Sequence, residues 1–289
     1  MSTPEFTIGC DPEIFLTKKG QPISAHGIIK GTKSEPFKIP DGAYQVDGMA
    51  VEFNTDPVDY QKFESFNLKV VSVIKKMKED VQAVDPELKF NISPVQEFPQ
   101  EYLDAQPDEA KELGCDPDYN AYTKEENPRP DGDRPFRTGA GHLHIGWGAD
   151  IPIDNPDHFD ICCDFVKMLD YTVGLAMVVF DRDNRRRELY GKAGAFRPKP
   201  YGVEYRYPSN AWVVNKARRE VVFSMIQFAI NIMKSGKTGA EYFRVTEEEI
   251  QRILNEGDHK SARELLRYNS PHAWQKYLMN NYVKEFPNG

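Results

Sequence analysis

"FTIGCDPEIFL", residues 6–16, decides how the rest of the chain is read. Its even positions are Phe6, Ile8, Cys10, Pro12, Ile14 and Leu16, and between them stand Thr7, Gly9, Asp11 and Glu13. Successive side chains of a strand point to opposite faces, so the stretch is a strand with one apolar face. Asp11 and Glu13 then share the other face. Pro12 cannot donate to a ladder, which predicts an edge strand or a bulge. The tetrapeptide Gly-Cys-Asp-Pro returns at 114–117, followed by Asp118, Tyr119 and Asn120. Gly and Asp-Pro are ordinary turn punctuation. The second copy lies in a polar, Pro-rich stretch, 97–138, which reads as a long functional loop and not as a repeat of the strand.

Working outward, the same i, i+2 arrangement recurs. In "VDGMAVEFNTDP" (46–57) Asp47-Gly48 marks a turn; Met49, Val51 and Phe53 face the core, and Glu52 and Asn54 face away. In "GAGHLHIGWG" (139–148) Leu143, Ile145 and Trp147 take one face, His142 and His144 the other. In "YGVEYRY" (201–207) Glu204 and Arg206 share a face, with Tyr205 and Tyr207 opposite. "LKFNIS" (88–93) is a further short strand. Residues 60–84 carry Phe63, Phe66, Val70, Ile74, Met77 and Val81 at helical spacing. Residues 157–180 form a long helix through Phe159, Cys162, Val166, Leu169, Val173 and Phe180. "DRDNRRRELYGKAGAFRPKP" (181–200) reads as a loop, and from about Lys216 the chain is helical in three or four pieces. The pattern is α+β: an antiparallel sheet with helices on one side.

Composition narrows the function. A chain of 289 residues with 39% hydrophobic and 12% aromatic residues builds one large domain or two small ones. A net charge of −8 argues against a general nucleic-acid partner. No run is apolar enough to span a membrane, and no signal-like segment opens the chain. The four cysteines show neither C-x-x-C spacing nor a matching His pattern, which argues for a reducing, cytoplasmic setting. "SGKTG" (235–239) imitates a phosphate loop, but Asn231 stands where the first Gly belongs and a helix precedes it. His158, His259 and His272 lack ligand spacing and are expected at the surface; His26 stays open.

One polar pair on a strand is commonly a solvated face, and an Arg run after a helix is commonly a helix end complementing the dipole. Four strands carrying Asp, Glu and His on one face predict a metal-binding concavity instead. Carboxylates suit Mg²⁺ or Mn²⁺, and an added imidazole leans toward Mn²⁺ or Zn²⁺. Arg185, Arg186, Arg187 and Arg197 supply forks for oxyanions. Acids for metal beside arginines for oxyanions are the equipment of phosphoryl transfer.

The ordered set resembles the carboxylate–amine ligases of the glutamine synthetase-like fold. It is nearest to the phage-type COOH–NH2 ligase type 2 (amidoligase) family and more distantly similar to glutamate–cysteine ligase. The carrying stretches are "GCDPEIFL", "VDGMAVEFNTDP", "GCDPDYNAYT", "GAGHLHIGWG" and "RRRELYGKAGAFRPKPYGVEYRYPSNAW", within residues 5–215. The resemblance implies a single catalytic domain over 1–289, with a helical part from 216. It also implies a curved antiparallel sheet with helices on its convex face, ATP as cofactor, and two or three Mg²⁺ or Mn²⁺ ions. By that likeness Glu13, Glu52 and Glu204 are metal ligands, with Asp11 and Asp47 beside them. His142 or His144 binds metal or an ATP phosphate. Arg206 and part of the run Arg185, Arg186 and Arg187 hold phosphates, with Tyr190, Lys192 and Arg197 beside the nucleotide. Asp118, Tyr119, Asn120 and Asn54 meet the substrates, a small-molecule or peptide carboxylate and an amine. The first motif departs from the larger ligases in being Asp-x-Glu and not Glu-x-Glu, and the 97–138 insert has no counterpart in glutamine synthetase. Two other readings stand beside it: a cupin-like metal enzyme built on the H-x-H strand, and a non-catalytic binder that keeps the ligase fold. Phage coding would place the protein in the host cytoplasm.

Overall fold

The computed structural model describes residues 5–111, 118–128, 134–147 and 155–277. The second Gly-Cys-Asp-Pro, at 114–117, lies outside them. Among the described residues the frame is an open, antiparallel sheet of 11 strands. Eight of them form its main path: β1 (Thr7–Lys18), β2 (Phe37–Ile39), β3 (Gly42–Asp47), β4 (Ala50–Thr55), β5 (Tyr119–Asn120), β6 (Gly141–Gly146), β7 (Ala195–Lys199) and β8 (Gly202–Tyr205). Their order in space is β2-β3-β4-β1-β6-β8-β7-β5, and Gln21–Ile23, Val58–Asp59 and Leu88–Asn91 add to β1.

β1 is therefore central, not an edge. Pro12 is accommodated by a change of partner. On one side β1 runs beside β6 from Thr7↔Gly146 to Pro12↔Gly141, and Glu13 N–H donates to the Ala140 carbonyl at 2.9 Å. Donors alternate along a strand, so an N–H at position 12 would aim at the opposite side. There the pairing passes from Ile8↔Val58 to Glu13↔Glu52, and the missing donor falls in the gap.

The apolar face of β1 is buried as its alternation predicts: Ile8, Ile14 and Leu16 are inaccessible and Cys10 nearly so. Each such aliphatic side chain is worth about 1.5–3 kcal/mol when fully buried. They pack, with Val51, Phe53, Leu143, Ile145, Val203 and Tyr205, into one core shared with the helices. Helix α1 (Phe63–Val84) covers β3 and β4, α2 (His158–Leu169) covers β7 and β8, and α5 (Lys216–Lys234) packs on both helices. This layered, open arrangement is not the closed jelly roll of a cupin.

Several expectations are corrected. The 157–180 helix is interrupted by a π turn at Asp170–Gly174, which separates α2 from α3 (Leu175–Phe180). The 181–200 loop contains α4 (Arg185–Leu189) and strand β7. The C-terminal part holds five helices among the described residues, including α6 (Glu247–Glu256) and α7 (His259–Asn269). "SGKTG" is helix punctuation: Ser235 caps α5, and Thr238 opens Gly239–Phe243 with a capping box to Glu241. His158 is buried against Trp147, with ring centroids 5.6 Å apart. Met49 sits in the turn before β4, outside the alternation that starts at Ala50. It joins Phe15, Ala50, Phe98, Leu103 and Ala110 in a second, smaller apolar cluster.

Among the described residues no helix is long and apolar enough to cross a membrane. Cys10, Cys162 and Cys163 are buried free thiols.

Candidate active site

Strand register assembles the polar face. Asp11 on β1 lies opposite His142 on β6, and Glu13 lies opposite Glu52 on β4. His144 lies opposite Glu204 on β8, which lies opposite Arg197 on β7. Directly opposed residues point to the same face, so five neighbouring strands aim their polar side chains into one cavity of about 330 Å³. Among the described residues its lining sets six carboxylates, Asp11, Glu13, Asp47, Glu52, Asp118 and Glu204, against six cations, Lys33, Arg137, Arg186, Arg197, Lys199 and Arg206.

The acids fall into two groups that could each hold a cation. Ligand atoms of Asp11, His144 and Glu204 lie within 4.8 Å of one another, and so do those of Glu13, Asp47 and Glu52. The i, i+2 spacing of Asp11 and Glu13 on β1 makes the groups neighbours, about 7 Å apart along the strand. His142 is not in either group. Its Nδ1 stands 3.6 Å from Asp11 and 3.5 Å from Glu204.

In the second group crowding works against ionisation. Burial, and then Asp47, pushes the Glu13 carboxyl up to about 7, although Ala140 N–H donates to it at 2.9 Å. Burial, then Asp11, Asp47 and Glu13, pushes Glu52 well above the carboxylate range. Gln45, opposite on β3, donates to Glu52 at 3.2 Å, and Lys33 pairs with Asp47 at 2.8 Å. The first group is different. Glu204 is only 1% exposed. Burial opposes its ionisation, yet Arg206 foremost, with His142, His144 and Arg197, holds its carboxyl well below the usual range. Arg206, Lys199 (2.8 Å) and Arg197 (3.3 Å) all pair with it. Burial drives His142 toward the neutral form, reinforced by Arg206. Burial also opposes protonation of His144, but Asp11, 3.0 Å from its Nε2, wins and raises it. The Nδ1 of His144 meets the Tyr201 hydroxyl.

A metal fits both groups. Asp11 Oδ1 is buried with no hydrogen-bond partner among the described residues. A crowd of carboxylates in which burial and neighbouring acids raise the pKa of Glu13 and Glu52 asks for a cation, and the donor sets, O₃ and O₂N, suit Mg²⁺ or Mn²⁺.

The Arg run divides. Arg186 is buried on the cavity and donates to the carbonyls of Tyr207 (2.6 Å) and Arg206 (3.3 Å). Burial pulls its pKa down to about 10. Room for it depends on Gly191, whose φ is +65° and where a Cβ would fall 1.7 Å from Arg186 Nη1. Arg185 turns away to Asp183 and Glu97, and Arg187 is spent on Tyr207, Asn184 and the Asp181 carbonyl. Neither lines the cavity, because the one-turn helix α4 presents a single side of the run to the sheet. Tyr190 lines it and the exposed Lys192 does not. Asp118 lines it and bonds Arg206 at 3.1 Å. Tyr119 packs instead on Phe159 and Phe196, and the Asn120 side chain accepts from Tyr122 N–H. Asn54 is on the acidic face, opposite Ala43, but outside the cavity lining.

Lys33, Lys199 and Arg137 were not singled out from sequence. Arg197 and Lys199 repeat the i, i+2 signal of the other strands, which reading 181–200 as a loop concealed. Lys33 and Arg137 carry no such signal.

No curated protein matches the chain. The model of the family described as phage phiEco32-like COOH.NH2 ligase-type 2 matches residues 134–281, half of the chain. That segment contains His142, His144, Arg186, Glu204 and Arg206, and the acids of β1 and β4 complete the face from outside it. The chain belongs to the phage phiEco32-like COOH.NH2 ligase-type 2 family, an assignment that agrees with an open antiparallel sheet carrying its acids on one face and its helices on the other.

Proposed function

We propose that the protein is an ATP-dependent carboxylate–amine ligase. The observation that carries this reading is the pair of three-ligand groups joined along β1 and bordered by Arg186, Arg197, Lys199 and Arg206. In the reaction a substrate carboxylate attacks the γ-phosphorus of ATP, giving an acyl phosphate and ADP. The amine then attacks the acyl carbon, the phosphate leaves, and the amine loses a proton. Asp11, His144 and Glu204 would hold one Mg²⁺ or Mn²⁺, and Glu13, Asp47 and Glu52 another. Such ions would neutralise phosphate charge and polarise the transferring group. Tyr201 fixes the His144 ring through Nδ1, as the outer partner of a ligating imidazole does. Arg206 and Arg197 share the buried Glu204 and line the cavity, where they would meet phosphoryl oxygens; such pre-positioned donors are worth more in a dry site than in water. Tyr190 lines the cavity beside Glu13 and would face the amine.

The test is ADP release from ATP and Mg²⁺ in the presence of pooled acids and amines. Release that needs acid, amine and metal together is the expected result. ADP release indifferent to acid and amine would sink the ligase reading and leave the non-catalytic binder or a simple ATPase.

A further inference from the structure

Four cations of the cavity are ion-paired: Arg197, Lys199 and Arg206 share Glu204, and Lys33 pairs with Asp47. Arg186 and Arg137 each bond two backbone carbonyls and leave a buried Nε without a partner among the described residues. The carboxylates of Asp181 and Glu13 act on Arg186, whereas Arg137 has no described carboxylate acting on it. Arg137 stands on Phe136–Thr138, a short strand paired with Val95–Glu97, and is 6% exposed while lining the cavity. Its Nη1 donates to the carbonyls of Arg134 and Phe136, both at 3.0 Å. Its Nε is buried with no partner, and it forms no ion pair with a described carboxylate. Burial opposes its charge, and Tyr190 is the one ionisable group that acts the other way. A buried guanidinium with an idle edge is costly unless an anion arrives to use it.

The surroundings say where that anion sits. Tyr190 feels Glu13 more than any other charged group, so Arg137, Tyr190 and Glu13 are electrostatic neighbours. Phe15, Met49 and Ala50, from the smaller apolar cluster, line the same cavity. We infer that Arg137 is the receptor for a second oxyanion on the carboxylate substrate, carried beside the carboxylate that reacts and separated from it by a short aliphatic spacer resting on Phe15 and Met49. The guanidinium edge matches a planar carboxylate in two-point fashion. This rests on the ligase reading, and the competing source of the oxyanion is a phosphate of the nucleotide.

The experiment is calorimetry on the full chain with Mg²⁺ and a non-hydrolysable ATP analogue. The probes are succinate, glutarate and adipate against butyrate, valerate and hexanoate. In the wild type the best dicarboxylate binds about tenfold or more tighter than the monocarboxylate of equal length. Arg137→Gln brings that ratio to about one. Arg137→Lys, which keeps charge and stem, retains part of it and carries the test if the Gln variant does not fold. Binding of the ATP analogue is unchanged in both. A wild type that binds the analogue but shows no preference among the acids overturns the inference, and so does a Gln variant that keeps the preference. Loss of analogue binding in Arg137→Gln assigns the residue to phosphate instead. Failure of the wild type to bind the analogue at all removes the ligase reading and this inference with it.

Discussion

At the scale of single residues, two positions separate support from chemistry. Asp170 is fully buried in the π turn and accepts from Tyr205 (2.6 Å), Tyr122 (2.9 Å) and the Gly194 N–H (2.7 Å). It thereby anchors α2, β8 and the 118–128 segment to one point. Asp170→Asn replaces one of the two acceptor oxygens with an N–H donor, so at least one of these bonds must reverse or break, and it should cost about 1–3 kcal/mol. Burial outweighs the three donors and lifts the Asp170 carboxyl to about 7. Its folded pKa is then above the unfolded one, so its contribution is largest in acid and is lost as pH rises toward 7. The stability gap between wild type and Asp170→Asn in urea melts should narrow from pH 5 to pH 7 and stay level above that. A gap that widens over that interval would show the carboxylate form to be the preferred one. Gly191 is the other case. With φ at +65° and Arg186 against its Cα, Gly191→Ala should displace the guanidinium. The expected result is a loss of turnover well beyond the loss of stability, read by comparing kcat with Tm. Arg186→Lys should show the same split, and if Gly191→Ala is fully active, Arg186 has no role in the reaction.

At the scale of elements, the face of each strand was legible because alternation is a local property. Asp11/Glu13, His142/His144 and Glu204/Arg206 declare their common side without knowledge of their neighbours. Position in the sheet was not legible. Pro12 argued for an edge, and only the handover from Val58 to Glu52 along β1 reveals a central strand that tolerates it. The side of a one-turn helix was equally hidden: nothing local in Arg185-Arg186-Arg187 says that the middle residue alone reaches the cavity. At the end of β8 and just past it, Tyr205 and Tyr207 are buried and Arg206 lies opposite, with Glu204. Arg206→Lys keeps the charge but loses the fork that spans Glu204 and Asp118. Turnover should fall by about 10²–10³ while ATP affinity changes little, since such a donor acts most in the transition state. An equal rise in the Kd for ATP would move Arg206 from the reaction to ground-state binding. Tyr205→Ala, on the core side of the same strand, should instead cost about 3–5 kcal/mol of stability.

At the scale of the molecule, the chain stores repulsion on one face of its sheet and holds it there with the other. Helices α1, α2 and α5 press an apolar core against β1, β4, β6 and β8, which leaves Glu13, Asp47 and Glu52 no route apart. A cation binding there should therefore stabilise the whole fold. With Mg²⁺ or Mn²⁺ at about 100 times its Kd the gain is about 2.7 kcal/mol, or about 4–5 °C in Tm for a chain of 289 residues. Glu52→Gln keeps the shape and removes one charge from the group. In EDTA the variant should melt at the wild-type temperature or above it, because like-charge repulsion is relieved. In excess Mg²⁺ the order should reverse, since the variant lacks a ligand and gains less from the ion. A low melting temperature for Glu52→Gln in EDTA would mean that the carboxylate is a structural partner, bonded through Gln45. A metal response undiminished by the substitution would remove Glu52 from the ligand set and leave the group formed by Asp11, His144 and Glu204 to account for the binding.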